Sequence, residues 1–285
     1  METKMKTALV TGASSGIGRE TALMLADKGF HVIAAARRLD RLTELSERFE
    51  RIHPMQVDLS DPKDTQRFSG EISAFSDPVS VLVNAAGYSV RGALEDVSQE
   101  AVRRIFEVNL FSLMQVTRAC LPGMRKQREG TIVNLSSISG KFAFPLSSVY
   151  SATKYALEAV SDALRMELRP FGIRVIVVRP GVIATEFHGV ANEMSGDPAG
   201  RTDEDYKKVY QAVGAGVGKM FIDLRIPGPA LIAKTIVDAV LSKAPKAAYA
   251  AGPFTEDILE ERFALDDDAF DRFWTDKLGL KDISV

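Results

Sequence analysis

A single cysteine, Cys120, and three scattered histidines, His31, His53 and His188, are all the thiol and imidazole this 285-residue sequence offers. One cysteine excludes an intrachain disulfide and suits a reducing compartment. Cys120 lies in an apolar helical stretch and reads as a buried small hydrophobe rather than a nucleophile. Ligands this few and this far apart have no zinc-type spacing, so no metal centre is expected. His31 and His53 stand just ahead of strand-like runs and read as surface or edge residues. Long hydrophobic runs are missing too: none approaches the roughly 18 residues a membrane span requires. The first residues, Met1–Lys6, are charged and enter an apolar run directly, without the pattern of a secretory signal. Charge of one sign is also lacking. With 36 Lys+Arg against 38 Asp+Glu the net charge is −2, and no broad basic surface for nucleic acid is expected. What is there, 46% hydrophobic and 26% charged residues, is an ordinary globular composition. A chain of this length buries roughly 75% of its unfolded surface and needs no staples. The expectation is a soluble, cytoplasmic, metal-independent protein.

Short apolar runs alternate with longer amphipathic segments as far as about residue 180. The runs are Thr7–Val10, Val32–Ala36, Pro54–Val57, Val79–Val83, Thr131–Leu135 and Ile173–Val178. They are nearly continuous in apolar character, as strands buried on both faces must be. Between them Ile17, Thr21, Met24 and Leu25 share a helix face that Gly29 terminates. Leu157, Val160, Leu164 and Leu168 mark another helix, ended at Pro170-Phe171-Gly172. The alternation predicts an α/β protein whose parallel sheet carries helices on both faces, in a doubly wound arrangement. No linker divides the chain, so residues 1–285 read as one domain. The rhythm breaks at about 185–229, a stretch rich in glycine that follows a strand's carboxyl end and reads as a substrate lid. Asp266-Asp267-Asp268 reads as the cap and first-turn charge of a C-terminal helix.

The first strand runs into Thr11-Gly12-Ala13-Ser14-Ser15-Gly16-Ile17-Gly18 and then a helix. Glycines there permit positive φ and close approach of a ligand to backbone N–H groups. The helix N-terminus adds unpaired donors and a positive dipole end for an anion. Placed between strand and helix, this loop reads as a dinucleotide cradle. The second strand then separates NAD from NADP. An acidic residue about 20 positions beyond the glycines would take a ribose 2′-hydroxyl. Here the strand ends in Ala36 followed by Arg37 and Arg38, an arginine pair suited to a 2′-phosphate. NADP(H) is the expected cofactor, with Arg37 the first contact and Arg38 the second.

Of six tyrosines only Tyr150 has a lysine at i+4, Lys154, on the same helix face. A free phenol titrates at about 10 and is a poor acid or base at neutral pH. An ammonium about 4–5 Å away attracts the phenolate by roughly 3–4 kcal/mol at an effective dielectric near 20, which lowers the phenol pKa by about two or more. Tyr150 is thereby a candidate proton donor and acceptor. The fifth strand ends in Asn134-Leu135-Ser136-Ser137-Ile138-Ser139-Gly140, which sets hydroxyls at its carboxyl end. Asn109 interrupts the apolar face Val102, Ile105/Phe106, Leu113 and Val116 of a helix, so a specific partner is expected for it.

Taken together, Thr11-Gly-x-x-x-Gly-x-Gly18, Asn84-Ala85-Ala86-Gly87, Asn109, Ser137, Tyr150-x-x-x-Lys154 and Pro180-Gly181 resemble the classical short-chain dehydrogenase/reductases, over about residues 5–250. The resemblance implies a three-layer Rossmann fold of about seven parallel strands. It implies that Tyr150 exchanges a proton with a carbonyl or alcohol oxygen. Lys154 then lowers the Tyr150 pKa and holds the nicotinamide ribose. Ser137, which precedes Tyr150 by 13 residues, matches the family's serine better than Ser136 or Ser139 and bonds the reacting oxygen. Asn109 positions a water for proton relay. Gly12, Ser14, Ser15, Gly16, Ile17 and Gly18 surround the pyrophosphate, and Asp58 contacts adenine. Asn84, Ala85, Ala86 and Gly87 line the cofactor cleft, with Asn84 mostly structural and Ala85 standing where a second asparagine is common. Pro180 and Gly181 lead to Thr185, which resembles the threonine that holds the carboxamide. The run from Glu158 to Leu168 is loosely similar to the retinol/17β-hydroxysteroid dehydrogenase-like branch, and points to an apolar carbonyl or secondary alcohol as substrate. Phe142, Phe144, Pro145, Leu146, Tyr88 and Val90, with Phe187, Met194, Met220 and Phe221, are candidates for an apolar pocket, or for ordinary core. A homodimer or homotetramer through helices near 100–123 and 149–169 is implied as well. The alternatives are a β-ketoacyl-carrier reductase, which suits a shorter chain, and a non-catalytic NADP-binding sensor, which typically lacks the tyrosine or lysine present here.

Overall fold

The structure, a computed structural model, describes residues 6–186, 204–221, 226–281 and 283. Within the expected 185–229 insertion, residues 187–203 and 222–225 lie outside the described residues, and with them Phe187, His188 and Met194. The side chains of Met220 and Phe221 lie outside them too.

The chain begins with three strand–helix units: β1 (Thr7–Thr11) and α1 (Gly16–Asp27), β2 (His31–Ala36) and α2 (Leu39–Arg48), β3 (Ile52–Gln56) and α3 (Pro62–Ser73). β4 (Val79–Asn84) follows, then α4 (Gln99–Phe106), a π-helical turn over Glu107–Phe111, and α5 (Ser112–Gln127). β5 (Gly130–Leu135), α6 (Ser148–Leu168) and β6 (Ile173–Pro180) complete the regular alternation. The last part comprises α7 (Glu204–Phe221), α8 (Ala230–Leu241), β7 (Ala248–Ala251), α9 (Thr255–Ala264) and α10 (Asp267–Lys277).

The seven strands form one parallel sheet in the order β3-β2-β1-β4-β5-β6-β7. β1 and β4 meet where the winding reverses, and ligands bind outside the carboxyl ends of strands at such a switch point. Register aligns those ends: Thr11 pairs with Ala35 and Asn84, and Asn84 with Asn134. Successive side chains take opposite faces of the sheet. Ala8 and Val10 therefore join a core with α1, α2 and α8. Leu9 joins a second core with α3, α5 and the end of α6. Helices thus cover both faces, as the alternation predicts. Cys120 is buried in the second core, and burial pushes its thiol up to about 12.

Two local expectations need correction. His31 opens β2 and His53 sits within β3, rather than preceding them; both are exposed, His53 on the strand at the sheet's edge. The helix expected to carry Asn109 is α4 and α5 joined by the π-helical turn, a widened turn often found at functional positions. β7 follows the six runs read from the sequence, as a short Ala-Tyr-Ala-Ala edge strand. Asp266 caps α10 as expected, its side chain accepting from the Ala269 N–H at 2.7 Å.

Candidate active site

The glycine loop is shaped by contacts that leave no room for side chains. Gly12 has φ +71°, and a Cβ there would lie 2.8 Å from the Ala86 Cα. A Cβ on Gly18 would lie 2.4 Å from the Gly12 carbonyl oxygen, and Gly16 has φ +55°. Ala85 and Ala86 close on the same loop because both of their N–H groups donate to the Thr11 hydroxyl at 3.2 Å. Ser15 precedes the first turn of α1 without capping it by its side chain. The backbone donors at that N-terminus therefore face the crevice, the arrangement that accepts a phosphate.

Arginine lies beside this cradle. The Arg38 guanidinium donates to Ser15 Oγ at 2.8 Å and to Ser14 Oγ at 3.2 and 3.3 Å. Its remaining nitrogen pairs with Glu186 at 2.9 Å, and Arg41 pairs with the other Glu186 oxygen at 2.7 Å. The structure thus places Arg38, the second choice from the sequence, on the loop. Arg37 is exposed, and its charge acts on the Tyr88 phenol. Alternation at the strand end accounts for the order. Arg38 continues the face of Ala34 and Ala36, which pack with α1, whereas Arg37 continues the opposite face.

At the carboxyl ends of β4 and β5 stand the groups suited to proton transfer. Tyr150 and Ser137 share a hydrogen bond, and both are buried. Ser136, one residue away, is buried near Glu158 without a hydrogen-bond partner for its hydroxyl among the described residues, and the Ser139 N–H donates to Ser137 Oγ at 3.1 Å. Lys154 donates to the Leu135 carbonyl at 2.8 Å and lies 5.7 Å from the centre of the Tyr150 ring. The expected lowering of the Tyr150 pKa is absent here. Burial pushes the phenol up to about 12, against the Ser137 hydrogen bond and the charge of Arg91. The physical reason is where the ammonium goes: it is drawn to the Leu135 carbonyl, over the ring face rather than the hydroxyl. Burial brings Lys154 down to about 8, opposed by the charge of Glu158.

Asn109 is fully buried. Its amide donates to the Tyr88 carbonyl at 3.0 Å and to Thr153 Oγ1 at 3.1 Å, while its oxygen accepts from the Tyr88 N–H at 3.1 Å. These are the specific partners its position calls for. Gly87 is where Asn109 and Lys154 converge: a Cβ there would lie 3.1 Å from Asn109 Oδ1 and 3.8 Å from Lys154 Nζ. Asn84 is structural in its contacts, donating to Thr117 Oγ1 at 3.1 Å and Asn134 Oδ1 at 2.9 Å. Asp58 stands just beyond β3, its Oδ1 accepting from the Ser60 N–H and hydroxyl. Pro180 ends β6, and the Gly181 N–H donates to the Ala251 carbonyl at 3.0 Å. Thr185 reaches the glycine loop, its methyl 3.5 Å from a Cβ built on Gly16.

Apolar side chains flank the tyrosine. Tyr88, Val90, Ile105 and Val149 pack with Tyr150. Phe142 and Phe144 are core residues instead. Phe142 stacks on Trp274 of α10 at 5.3 Å, and Phe144 meets the same ring edge-on. α7 borders this region: the Tyr210 hydroxyl donates to Asp96 at 2.8 Å and accepts from the Ala93 N–H at 2.8 Å. Leu146 adopts φ +60°, its carbonyl accepting from the Gly92 N–H.

Sequence reasoning missed three parts of this region. Arg41 was recoverable, since it follows Arg38 by one turn of α2. Glu158 carried a signal as well, a carboxylate at i+4 from Lys154 in a small and apolar segment. It is buried, and it is bonded by both arms of Arg179 at 2.8 and 2.9 Å and paired with Lys141 at 3.2 Å. Glu186 carried none, being 148 positions from Arg38.

The donor set fits a phosphorylated dinucleotide: a loop closed to side chains, a helix N-terminus, flanking hydroxyls and a pair of guanidinium groups. Comparison with known proteins supplies the family. A family model described as short chain dehydrogenase matches residues 6–196. The probable short-chain type dehydrogenase/reductase VdlC of Helicobacter pylori is 36% identical over 255 residues, 88% of this chain and 90% of that protein. A short-chain dehydrogenase from Streptomyces avermitilis superposes with a TM-score of 0.80 at 31% identity, covering 98% of each chain. A short-chain dehydrogenase from Sphingobium yanoikuyae, solved with NADPH, superposes with a TM-score of 0.63 at 26% identity over 78% of this chain and 97% of that one.

Proposed function

The chain belongs to the short-chain dehydrogenase/reductase family of oxidoreductases, whose fold binds a nicotinamide cofactor, and from that premise we propose an NADP(H)-dependent enzyme that interconverts a carbonyl and a secondary alcohol on an apolar substrate. The observation that carries this reading is the hydrogen-bonded pair Ser137–Tyr150 beside a buried Lys154. When bound, the nicotinamide supplies or accepts the hydride. Tyr150, kept protonated at neutral pH by burial, donates its proton to the carbonyl oxygen. Ser137 bonds the same oxygen and holds it in reach of the phenol. Lys154 holds the ribose hydroxyls from its place on the Leu135 carbonyl. Asn109 fixes the Tyr88 backbone and positions a water that returns a proton to the site.

In the same reading the glycine loop from Gly12 to Gly18 takes the pyrophosphate, and Arg38 with Arg37 takes the 2′-phosphate. Asp58 meets adenine, Asn84–Gly87 line the cleft, and Thr185, reached through Pro180 and Gly181, holds the carboxamide. NADP(H) is favoured because β2 ends in Ala36 with arginines beyond it, and a carboxylate there would repel the phosphate. The apolar substrate rests on the Tyr88, Val90 and Val149 surroundings of Tyr150. Exposed Tyr155 and Met166 on α6 suit a homodimer or homotetramer. No helix among the described residues is long and apolar enough to cross a membrane.

Fluorescence titration with NADPH and NADH, followed by a panel of aromatic and steroid ketones, tests the proposal. NADPH is expected to bind about tenfold or more tighter and to be oxidised by members of the panel. Equal affinity for NADH would refute the cofactor assignment.

A further inference from the structure

The arginines beside the glycine loop are already engaged by an anion, and the chain itself supplies it. Glu186 places one carboxylate oxygen 2.9 Å from Arg38 and the other 2.7 Å from Arg41. Arg38 is at the same time tied to Ser14 and Ser15, so the carboxylate lies at the edge of the phosphate cradle. The residue before it, Thr185, touches the glycine loop, and the Ala184 N–H donates to the Pro227 carbonyl at 2.9 Å. Glu186 is therefore held where the chain leaving β6 crosses the loop. Its hydrogen bonds from Arg41 and then Arg38 hold its carboxyl below the usual range, so it is ionised at neutral pH.

We propose that Glu186 is a specificity-tuning residue, a built-in competitor that occupies the arginine seat and must give way to the cofactor's 2′-phosphate. This rests on the NADP(H) reading. A carboxylate bridging two guanidinium groups mimics the phosphate it faces, but with one charge against about two and two acceptor oxygens against three. The exchange therefore runs toward phosphate, yet each encounter must first break two ion pairs. The side chains involved are 38–49% exposed, so each pair is weak and the competition is modest. Its effect falls on ligands that carry the 2′-phosphate and spares those that lack it. Arg41, which no sequence motif singled out, becomes a phosphate contact once Glu186 is displaced.

The test uses the full chain with two probes that differ only in the 2′-phosphate, adenosine 2′,5′-bisphosphate and 5′-AMP, titrated by calorimetry. Glu186→Gln is expected to bind the bisphosphate about three- to tenfold tighter than the wild type does, with 5′-AMP unchanged. No gain, or an equal gain for both probes, would overturn the inference. A cycle with Arg41→Gln guards against an indirect effect. That substitution should cost more bisphosphate affinity in the Glu186→Gln background than in the wild type, and an equal cost would count against competition. A wild type that binds the bisphosphate no better than 5′-AMP refutes the NADP(H) reading itself. That outcome is distinct from a wild type that prefers the bisphosphate and a variant that does not change.

Discussion

Lys154 keeps its charge against burial. Its native pKa of about 8 lies below the free value of 10.5 because desolvation disfavours the ammonium, with Glu158 opposing. Below about 8 the folded and unfolded chains both hold the proton, and the full cost of burying the charge weakens the fold. Between about 8 and 10.5 the folded chain releases its proton first, so this group's contribution to stability rises with pH. Binding moves the other way, because the lysine loses its charge over the same interval. NADPH affinity is expected to be flat from pH 6.5 to about 8 and to fall above it, as read by nucleotide fluorescence. Lys154→Met should bind more weakly and show no break; a break that survives the substitution would assign it to another group. The i+4 spacing of Tyr150 and Lys154 was legible in the sequence, and the family resemblance added Ser137. The sign of the tyrosine shift was not, because it depends on how deeply the phenol is buried and on which acceptor the ammonium finds.

Among the elements, β1, β4 and β5 were readable because both faces are buried and their apolar runs are nearly continuous. β7 was not, since Ala248–Ala251 is four small or half-buried residues at a sheet edge. The π-helical turn also escaped, because one extra residue shifts the helical period without changing which residues are apolar. The β1–α1 loop permits a sharper check. A Cβ at Gly18 would meet the Gly12 carbonyl at 2.4 Å and the Thr11 carbonyl at 3.1 Å, backbone atoms that cannot move aside as a side chain can. Gly18→Ala is expected to lose about 1–3 kcal/mol of stability and to abolish most NADPH binding, since the loop must shift. Gly70→Ala, where a Cβ meets nothing within 4 Å in α3, serves as the control. It should hold or gain stability by up to about 1 kcal/mol and bind NADPH as the wild type does. Chemical denaturation and nucleotide titration read both; similar behaviour of the two variants would contradict the steric account.

At the scale of the whole molecule, the candidate site is assembled from distant stretches. The turn just beyond β5 brings Ser137, α6 brings Tyr150 and Lys154, the turn between α4 and α5 brings Asn109, and the chain beyond β6 brings Thr185 to the glycine loop. The parallel, doubly wound arrangement was recoverable from the βα rhythm. Long-range closures were not, among them the Phe142–Trp274 stack and the Tyr210–Asp96 bond, because no spacing along the chain records them. The convergence has one chemical purpose in this account, a proton delivered by Tyr150 to a carbonyl oxygen. Steady-state NADPH oxidation by wild type and Tyr150→Phe, on the ketone the panel identifies as substrate, measures that directly. The account predicts turnover lower by about 10²–10⁴-fold with NADPH affinity unchanged, whereas near-normal turnover by the variant would contradict it.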